Sequence, residues 1–270
     1  MKVSFWSAVK ADYNFVLPSG FFKPKQIEIL KRAKAIVLPP SCKSFHYWFC
    51  KQVAPVFPFL DTYFHCPGKA GDLFVFQFAG VPCPPTKIFT GENDLEKRLE
   101  GGETLYPFPF ILKWTKGGGG AFVYRIEKES ELWDTLRKIR QYENSSPVFV
   151  IQPYIEHEPY DLRVVVIGER FLTYWRVQEN HHEFRNNVGQ GARIYRHLYP
   201  ELEKEGVRLT RQLCFKTGIN LAAIDIMFKA KDKKPLFLEI NYKFGIKGIG
   251  GYASFKRFLN EEIERWFSQL

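Results

Sequence analysis

Asp225, Glu239 and Asn241 are the residues whose types and spacing could do chemistry together. They lie in two apolar, alternating runs, 220–228 and 235–241, on either side of the charged segment Lys229-Ala-Lys-Asp-Lys-Lys234. That pattern predicts a β-hairpin. A turn centred on Asp232 sets Asp225 directly across from Glu239, with Cβ atoms about 5 Å apart. Alternation puts Leu236, Leu238 and Ile240 on one face and Phe237, Glu239 and Asn241 on the other, while Ile224, Ile226 and Phe228 share a face opposite Asp225. Two carboxylates so close repel unless a cation lies between them or one takes up a proton. With Asn241 alongside, every donor is oxygen, which suits Mg²⁺ and not zinc. A surface hairpin whose acids face water has the same spacing, so the three residues alone leave both readings open.

A second group handles anions. The apolar run 108–113 ends on Lys113, and Gly117, Gly118, Gly119 and Gly120 follow before the next apolar run. Glycines let backbone N–H groups approach an anion and the lysine adds charge. The lysine precedes the glycines, so this is not a Walker loop, and a plain hairpin tip fits the glycines equally. Asp161 and Arg163 share one face of a predicted strand with Val165 and Ile167. Residues 183–192 form a polar, glycine-containing loop, and beside it His181 and His182 lack metal-ligand spacing, so solvation and substrate contact both remain open.

The elements that must position these residues follow from the rest of the chain. Its 270 residues can hold one large domain or two to three small ones. A net charge of +10 favours partners bearing phosphate or carboxylate, but the excess is spread along the chain and points to no nucleic-acid footprint. The 26 Phe imply bulky cores or a stacking pocket. Five cysteines without a C-x-x-C pair argue against zinc and against a disulfide framework. No signal-peptide pattern and no apolar run of transmembrane length is seen, so a soluble cytoplasmic protein is expected.

Residues 24–34 read as a helix with Pro24 near its start, 35–38 as a buried strand stopped by Pro39 and Pro40, and 43–53 as a second helix. That is the grammar of a small α/β unit, without a dinucleotide fingerprint, and its aromatics (Phe45, Tyr47, Trp48, Phe49) read as core. His46 and His65 lack metal spacing and read as structural. Helices are predicted over 69–79, 129–142 and 199–217, the last with Pro200 near its start and Gly218 at its end, and over 252–270. A strand over 147–152 meets Pro153 at a hinge. A hairpin spans 161–175 with its turn at Gly168 and Glu169.

The order of these signals resembles the ATP-grasp superfamily, in its RimK-type branch of carboxylate–amine ligases. The motifs that carry the resemblance are Leu112-Lys113 before glycines, Gln152-Pro153-Tyr154-Ile155, Asp161-Leu162-Arg163, Phe184-Arg185-Asn186-Asn187, Ile224-Asp225-Ile226, and Glu239-Ile240-Asn241 through Gly245, Gly248 and Ile249. Lys69 stands fifteen positions before Pro84 of a P-x-T motif completed by Thr86. The resemblance covers about residues 66–251. It implies an α+β ATP-grasp fold: a small N-terminal α/β domain over 1–85, a small subdomain with a glycine-rich lid over 86–152, and a large subdomain with a metal site over 153–270, clamping ATP between antiparallel sheets. It also implies that Lys69 and Lys113 contact nucleotide phosphates under a lid of Gly117, Gly118, Gly119 and Gly120. Gln152, Pro153, Tyr154 and Ile155 supply the adenine hinge, and Asp161 contacts ribose or a nearby polar group. Asp225, Glu239 and Asn241 hold Mg²⁺ (or Mn²⁺), and Arg163, Arg185 and Asn187 are catalytic, the arginines on developing phosphoryl charge.

The implied reaction activates a carboxylate as an acylphosphate, which an amine then displaces with release of ADP and phosphate. Glutamate or another amino acid is the candidate addition. The expected partners are a small molecule or peptide bearing a carboxylate, plus an amine. No membrane or nucleic-acid partner is expected, and a homo-oligomer is compatible with the sequence. A small-molecule kinase on the same fold, or a non-catalytic ATP- or nucleic-acid-binding module, are the alternatives. The chain departs from the family pattern at Pro153, where an acid is usual. It departs again at 188–191 and at Tyr242, Lys243, Phe244 and Lys247, where small residues, a proline and an acid are typical. Lys243 and Lys247 beside the metal face suggest a substrate with extra negative charge, or are simply solvated. The resemblance does not extend to the first 65 residues, where the family's substrate specificity would partly reside.

Overall fold

Short β-branched runs bounded by prolines and turns build the N-terminal sheet of the computed structural model, which describes residues 1–115, 122–142, 147–180 and 183–270. In chain order it contains β1 (Lys2–Ser4), β2 (Tyr13–Asn14), α1 (Pro24–Leu30), β3 (Ala35–Val37), α2 (Ser44–Val53) and β4 (Val56–Phe57). All its pairings are parallel, in the order β2-β1-β3-β4, and β1 and β3 are buried throughout. Parallel strands with both faces covered are what an α/β unit requires. α1 stops at Leu30 rather than near Lys34, because Arg32 and Ala33 donate to carbonyls only three residues back and Lys34 turns to donate to Met1. Of the aromatics in α2, Tyr47 is fully buried, whereas Phe45 and Phe49 lie at the rim. His46 lies in the core with Nε2 against the Gly20 carbonyl.

After α3 (Asp61–His65) and α4 (Gly68–Ala79), a second sheet is assembled from β5 (Lys87–Phe89), β6 (Phe110–Trp114), β7 (Val123–Ile126) and β8 (Phe149–Pro153), with α5 (Glu92–Glu100) and α6 (Glu129–Arg140) between them. Its order is β5-β8-β6-β7 and its pairings are antiparallel. Period-two alternation sorts β6: Phe110, Leu112 and Trp114 pack under Leu95, Leu132, Leu136 and Ile139, while Ile111 and Lys113 point the other way.

The third sheet, order β11-β10-β9-β12-β13, is antiparallel and consists of β9 (His157–Ile167), β10 (Arg170–Val177), β11 (Arg193–Tyr195), β12 (Leu221–Lys229) and β13 (Pro235–Asn241). The β9–β10 turn uses Gly168 at φ +59°, a conformation L side chains rarely adopt. One face of this sheet, including Leu162, Val164, Ile224 and Ile226, packs on α4 and on α7 (Pro200–Thr217), in a core continuous with Leu30, Ile36 and Tyr47. On the other face, Val165, Ile167, Leu221 and Ala223 are covered by Phe255, Leu259 and Ile263 of α8 (Gly251–Ser268).

The hairpin register is the predicted one at its key pair: Asp225 stands opposite Glu239. It does not continue past that pair. The register shifts between Asp225 and Ile226, so that Ile226 faces Phe237 and Leu238 is the additional residue of a β-bulge. Strict alternation therefore fails here. Phe237 enters the core against Phe76, with ring centroids 5.5 Å apart, instead of sharing a face with Glu239. Leu238 turns to the same side as Glu239.

The start of α4 is the tightest junction near the charged residues. A Cβ on Gly71 would lie 2.0 Å from the Cys66 carbonyl oxygen and 2.2 Å from its carbon, both backbone atoms that cannot swing away. Gly71→Ala is expected to lower stability by about 1–3 kcal/mol in urea unfolding. Gly189→Ala, with nothing within 4 Å of its Cβ position, is the control and should stay within about 0.5 kcal/mol of the parent.

Candidate active site

The small sheet and the large sheet face each other across an open cleft of about 830 Å³. Ile111, Lys113, Val123 and Gln152 line it from one side and Asp161, Arg176, Asp225 and Met227 from the other. The large-sheet face is divided. Its apolar half lies under α8, and its charged half forms the cleft wall.

That wall holds an alternating ladder of charges. Asp161 and Arg176 are directly opposed on β9 and β10, and both Asp161 oxygens accept from the Arg176 guanidinium at 2.7 and 2.6 Å. Arg163 and Asp225 are opposed on β9 and β12 and pair in the same bidentate way, at 2.6 and 2.7 Å. A contact of 3.1 Å from Arg176 to Asp225 joins the two pairs. Burial pushes the Asp225 carboxyl upward, but Arg163 and Arg176 outweigh it and hold it below the ordinary carboxylate range. Burial raises Asp161 above its ordinary value against the pull of Arg176. With both oxygens accepting from a guanidinium, we take Asp161 as ionised.

At one end of the cleft, α4 brings Lys69 next to Lys113 and Glu239. Gly68 permits this approach: its φ is +71° and a Cβ would sit 2.7 Å from the Thr115 carbonyl oxygen. Burial pushes the Lys113 ammonium down to about 8, Lys69 adds to the effect, and Glu239 and Asp72 oppose it. Asp72, enclosed in α4, accepts from the Ile240 backbone N–H at 3.2 Å and so ties the strand carrying Glu239 and Asn241 to the helix carrying Lys69. Burial keeps the Asp72 carboxyl well above its ordinary range.

At the other end the hinge residues Gln152, Pro153, Tyr154 and Ile155 line the cleft with Met227 and Leu238. Gln152 donates to the Thr86 hydroxyl at 2.8 Å, so the hinge and the P-x-T motif meet. Arg125 lies 4.3 Å from the centre of the Tyr154 ring. The loop after β10 is braced by Gln178, which donates to the Arg185 and Gln190 carbonyls at 3.0 Å each. Arg185 pairs with Glu183 at 2.8 Å and, like Asn187, lines the cleft. Between them Asn186 is buried and its Oδ1 accepts no hydrogen bond from a described residue. A buried acceptor without a donor costs about 1–3 kcal/mol, so this atom suits a ligand N–H or O–H.

Of the residues expected from sequence, Lys69, Lys113, the hinge, Asp161, Arg185, Asn187, Asp225 and Glu239 converge on the cleft. Arg163 is not on its surface, because it lies against Asp225. Asn241 lines an adjoining recess instead. Gly117, Gly118, Gly119, Gly120, His181 and His182 lie outside the described residues. Sequence reasoning missed several lining residues, Arg176 and Leu238 among them. Arg176 was recoverable from hairpin arithmetic, since the Gly168–Glu169 turn sets it across from Asp161. Leu238 was not, because nothing in its sequence announces the bulge.

The donor set can be tested for a hard cation. The Glu239 carboxylate accepts no hydrogen bond from a described residue, and Asn241 donates to Asp225 at 3.3 Å, leaving its own Oδ1 as an acceptor. These oxygens fit Mg²⁺. Asp225 fits less simply: Oδ2 already receives Arg163, Arg176 and Asn241, and Oδ1 receives Arg163. It would take a metal through the one lone pair left on Oδ1. Among the described residues no group of three or more His, Cys, Asp or Glu is placed to hold a metal.

Two antiparallel sheets closing on a cleft, with a lysine from a strand of one sheet and acids from the other, define the ATP-grasp class. Solved structures agree on the fold. D-alanine–D-alanine ligase from Helicobacter pylori superposes with a TM-score of 0.61 at 17% identity, over 86% of this chain and 72% of that one. A RimK domain protein from Sphaerobacter thermophilus superposes at 0.59 and 14% identity, over 85% and 81%. The chain belongs to the RimK-like ATP-grasp family, whose domain matches residues 69–257. A probable alpha-L-glutamate ligase from Xanthomonas oryzae pv. oryzae is 31% identical over 175 residues, 64% of this chain and 55% of the relative. One from Xanthomonas campestris pv. campestris is 29% identical over 208 residues, 72% and 66% of the two chains. The chain thus spans just over half the length of the first of these relatives. No helix among the described residues is long and apolar enough to cross a membrane.

The position of Lys113 sets a pH dependence. Below about 8 its ammonium is charged and ready for a polyphosphate; above that value the free protein's lysine is neutral and must first take up a proton. ADP affinity measured calorimetrically should therefore weaken as pH rises from 7 to 9.5, approaching tenfold per unit at the top of the range. Lys113→Ala should bind more weakly at pH 7 and lose most of the slope above 8. An unchanged slope in the variant would assign the titration elsewhere.

Proposed function

We propose that this chain is an ATP- and Mg²⁺-dependent, ADP-forming ligase that joins a carboxylate to an amine, with glutamate or another amino acid as the added group. The observation that carries the reading is the convergence of Lys69 and Glu239 at the point where the cleft opens into a second recess. A phosphoryl donor on one side and an acceptor acid on the other would meet there. The names of the Xanthomonas relatives support the ligase outcome, and a solved ADP complex of N5-carboxyaminoimidazole ribonucleotide synthetase, TM-score 0.61 at 12% identity, supports nucleotide use. In this reading residues 86–152 and 153–270 are the two halves of the clamp and 1–85 precede it.

Lys69 and Lys113 would neutralise the phosphates, with Gly117, Gly118, Gly119 and Gly120 closing over them. Gln152, Pro153, Tyr154 and Ile155 would hold the base edge through their backbone; Pro153 offers only its carbonyl, having no N–H. Asp161 would stand near the ribose. Glu239 and Asn241, with Asp225 behind them, would hold Mg²⁺, which when bound supplies positive charge to the phosphates. Arg185 and Asn187, with Arg176 in the cleft wall, would stabilise charge on the transferred group, while Arg163 keeps Asp225 in place. A substrate carboxylate oxygen forms a bond to the γ-phosphorus as the bond to ADP breaks. An amine nitrogen then bonds to the acyl carbon, phosphate leaves, and the nitrogen loses a proton. Positioning and charge neutralisation suffice for the first step, and no side-chain nucleophile is needed.

The test is a coupled assay with ATP, Mg²⁺ and acid–amine pairs, reading ADP, phosphate and amide product together. Glu239→Gln should lower turnover about a hundredfold or more, since charge that develops in the transition state loses a counter-ion holder. Its melting temperature should stay within about 2 °C. A stable phosphorylated acid with no amine consumed would mark a kinase instead, and full activity in Glu239→Gln would remove the site assignment.

A further inference from the structure

On the far side of Glu239 from the base end of the cleft lies a recess of about 600 Å³, lined by Lys69, Glu239, Asn241, Thr115, Tyr63 and Lys243. Lys69 and Glu239 line both spaces, so a ligand in the recess would touch the phosphate end of the cleft. One wall comes from α3, where the Tyr63 ring lies tilted against Tyr242 with centroids 4.9 Å apart and the Tyr242 hydroxyl is hydrogen-bonded to the Thr62 hydroxyl at 2.6 Å.

Two lysines, Lys69 and Lys243, line the recess. Asp72 also lines it, but its side chain is enclosed, burial holds its carboxyl above the ordinary range, and one of its oxygens accepts from the Ile240 N–H. Glu239 is shared with the cleft. Lys243 makes no ion pair and no hydrogen bond with a described residue. It follows β13 directly, in the segment where the chain departs from its family pattern.

We propose that this recess is the acid subsite and that Lys243 makes it selective for an acid with a second anionic group, a dicarboxylate. The assignment rests on the ligase reading for the identity of the reacting carboxylate, which lies at the Lys69–Glu239 end. The second anionic group stays unreacted against the Lys243 ammonium. A neutral group there forgoes the charge-assisted contact with the exposed Lys243 ammonium, and that difference separates the two classes of acid.

The experiment uses the full chain with ADP and Mg²⁺ and titrates linear dicarboxylates from malonate to adipate, each paired with its own monoamide. At least one diacid should bind about tenfold more tightly than its monoamide, the worth of one charge-assisted contact at a partly exposed site. Lys243→Met should bring the pair to within about twofold by weakening the diacid alone, while Lys243→Arg keeps the preference. If no diacid in the series outbinds its monoamide, or if Lys243→Met retains the preference, the proposal fails. Turnover of the best acid with ATP and an amine is read separately. A diacid preference without ADP release would leave the recess assignment standing and remove the ligase reading. ADP release with no preference would do the reverse.

Discussion

A carboxylate taken out of water needs its counter-charge close by, and the large sheet meets that need for two carboxylates side by side. Asp161, Arg176, Asp225 and Arg163 alternate in sign across β10, β9 and β12; Asp161–Arg176 and Arg163–Asp225 are directly opposed by strand register, and Arg176 also reaches Asp225. Leaving any one of them alone would strand a buried charge, so the ladder stands or falls together. It also settles where the cleft must be. The apolar half of the same face is roofed by α8, but an apolar helix cannot cover the charged half without desolvating it. That half is left for the small sheet to face across an open space.

The opposite tendency governs the end of the cleft that holds Lys69 and Lys113. There like charges are gathered: Lys69 beside Lys113, and Glu239 close to Asp72. Burial draws the Lys113 ammonium down and holds the Asp72 carboxyl above its ordinary range. A polyanion with its cation would set opposite charge against each of these groups. Asp72 adds a link, because its bond to the Ile240 amide ties the helix carrying Lys69 to the strand carrying Glu239 and Asn241.

The bulge at Leu238 is a small feature with a large effect on the site. One additional residue sends Phe237 into the core against Phe76 and turns Leu238 and Glu239 together toward the cleft. The cleft wall thereby gains an apolar side chain next to its acid. Straight alternation would have placed an aromatic ring there. Lys243 lies just past the same strand, in the recess that adjoins the phosphate end.

Much of this was legible from residue order. Alternating runs around a charged turn were enough to pair Asp225 with Glu239, because a hairpin's register follows from its turn and the two strands are close in sequence. Alternation alone likewise sorted Lys113 away from Phe110, Leu112 and Trp114. The hinge, the P-x-T motif and the order of motifs were legible as a family resemblance rather than as periodicity. What alternation could not reach were contacts between elements far apart in the chain. Arg163 and Asp225 are separated by 62 positions, and only the pairing of β9 with β12 turns a presumed phosphate ligand into a partner of the acid. The burial that lowers Lys113, the Asp72 link across 168 positions, and the recess between α3 and β13 likewise exist only once the chain has packed. Residue types and short-range periodicity determined which groups were present and which way each strand faced. Desolvation and long-range pairing, properties of the packed interior rather than of any segment, decided which charges neutralise one another and which remain for a ligand.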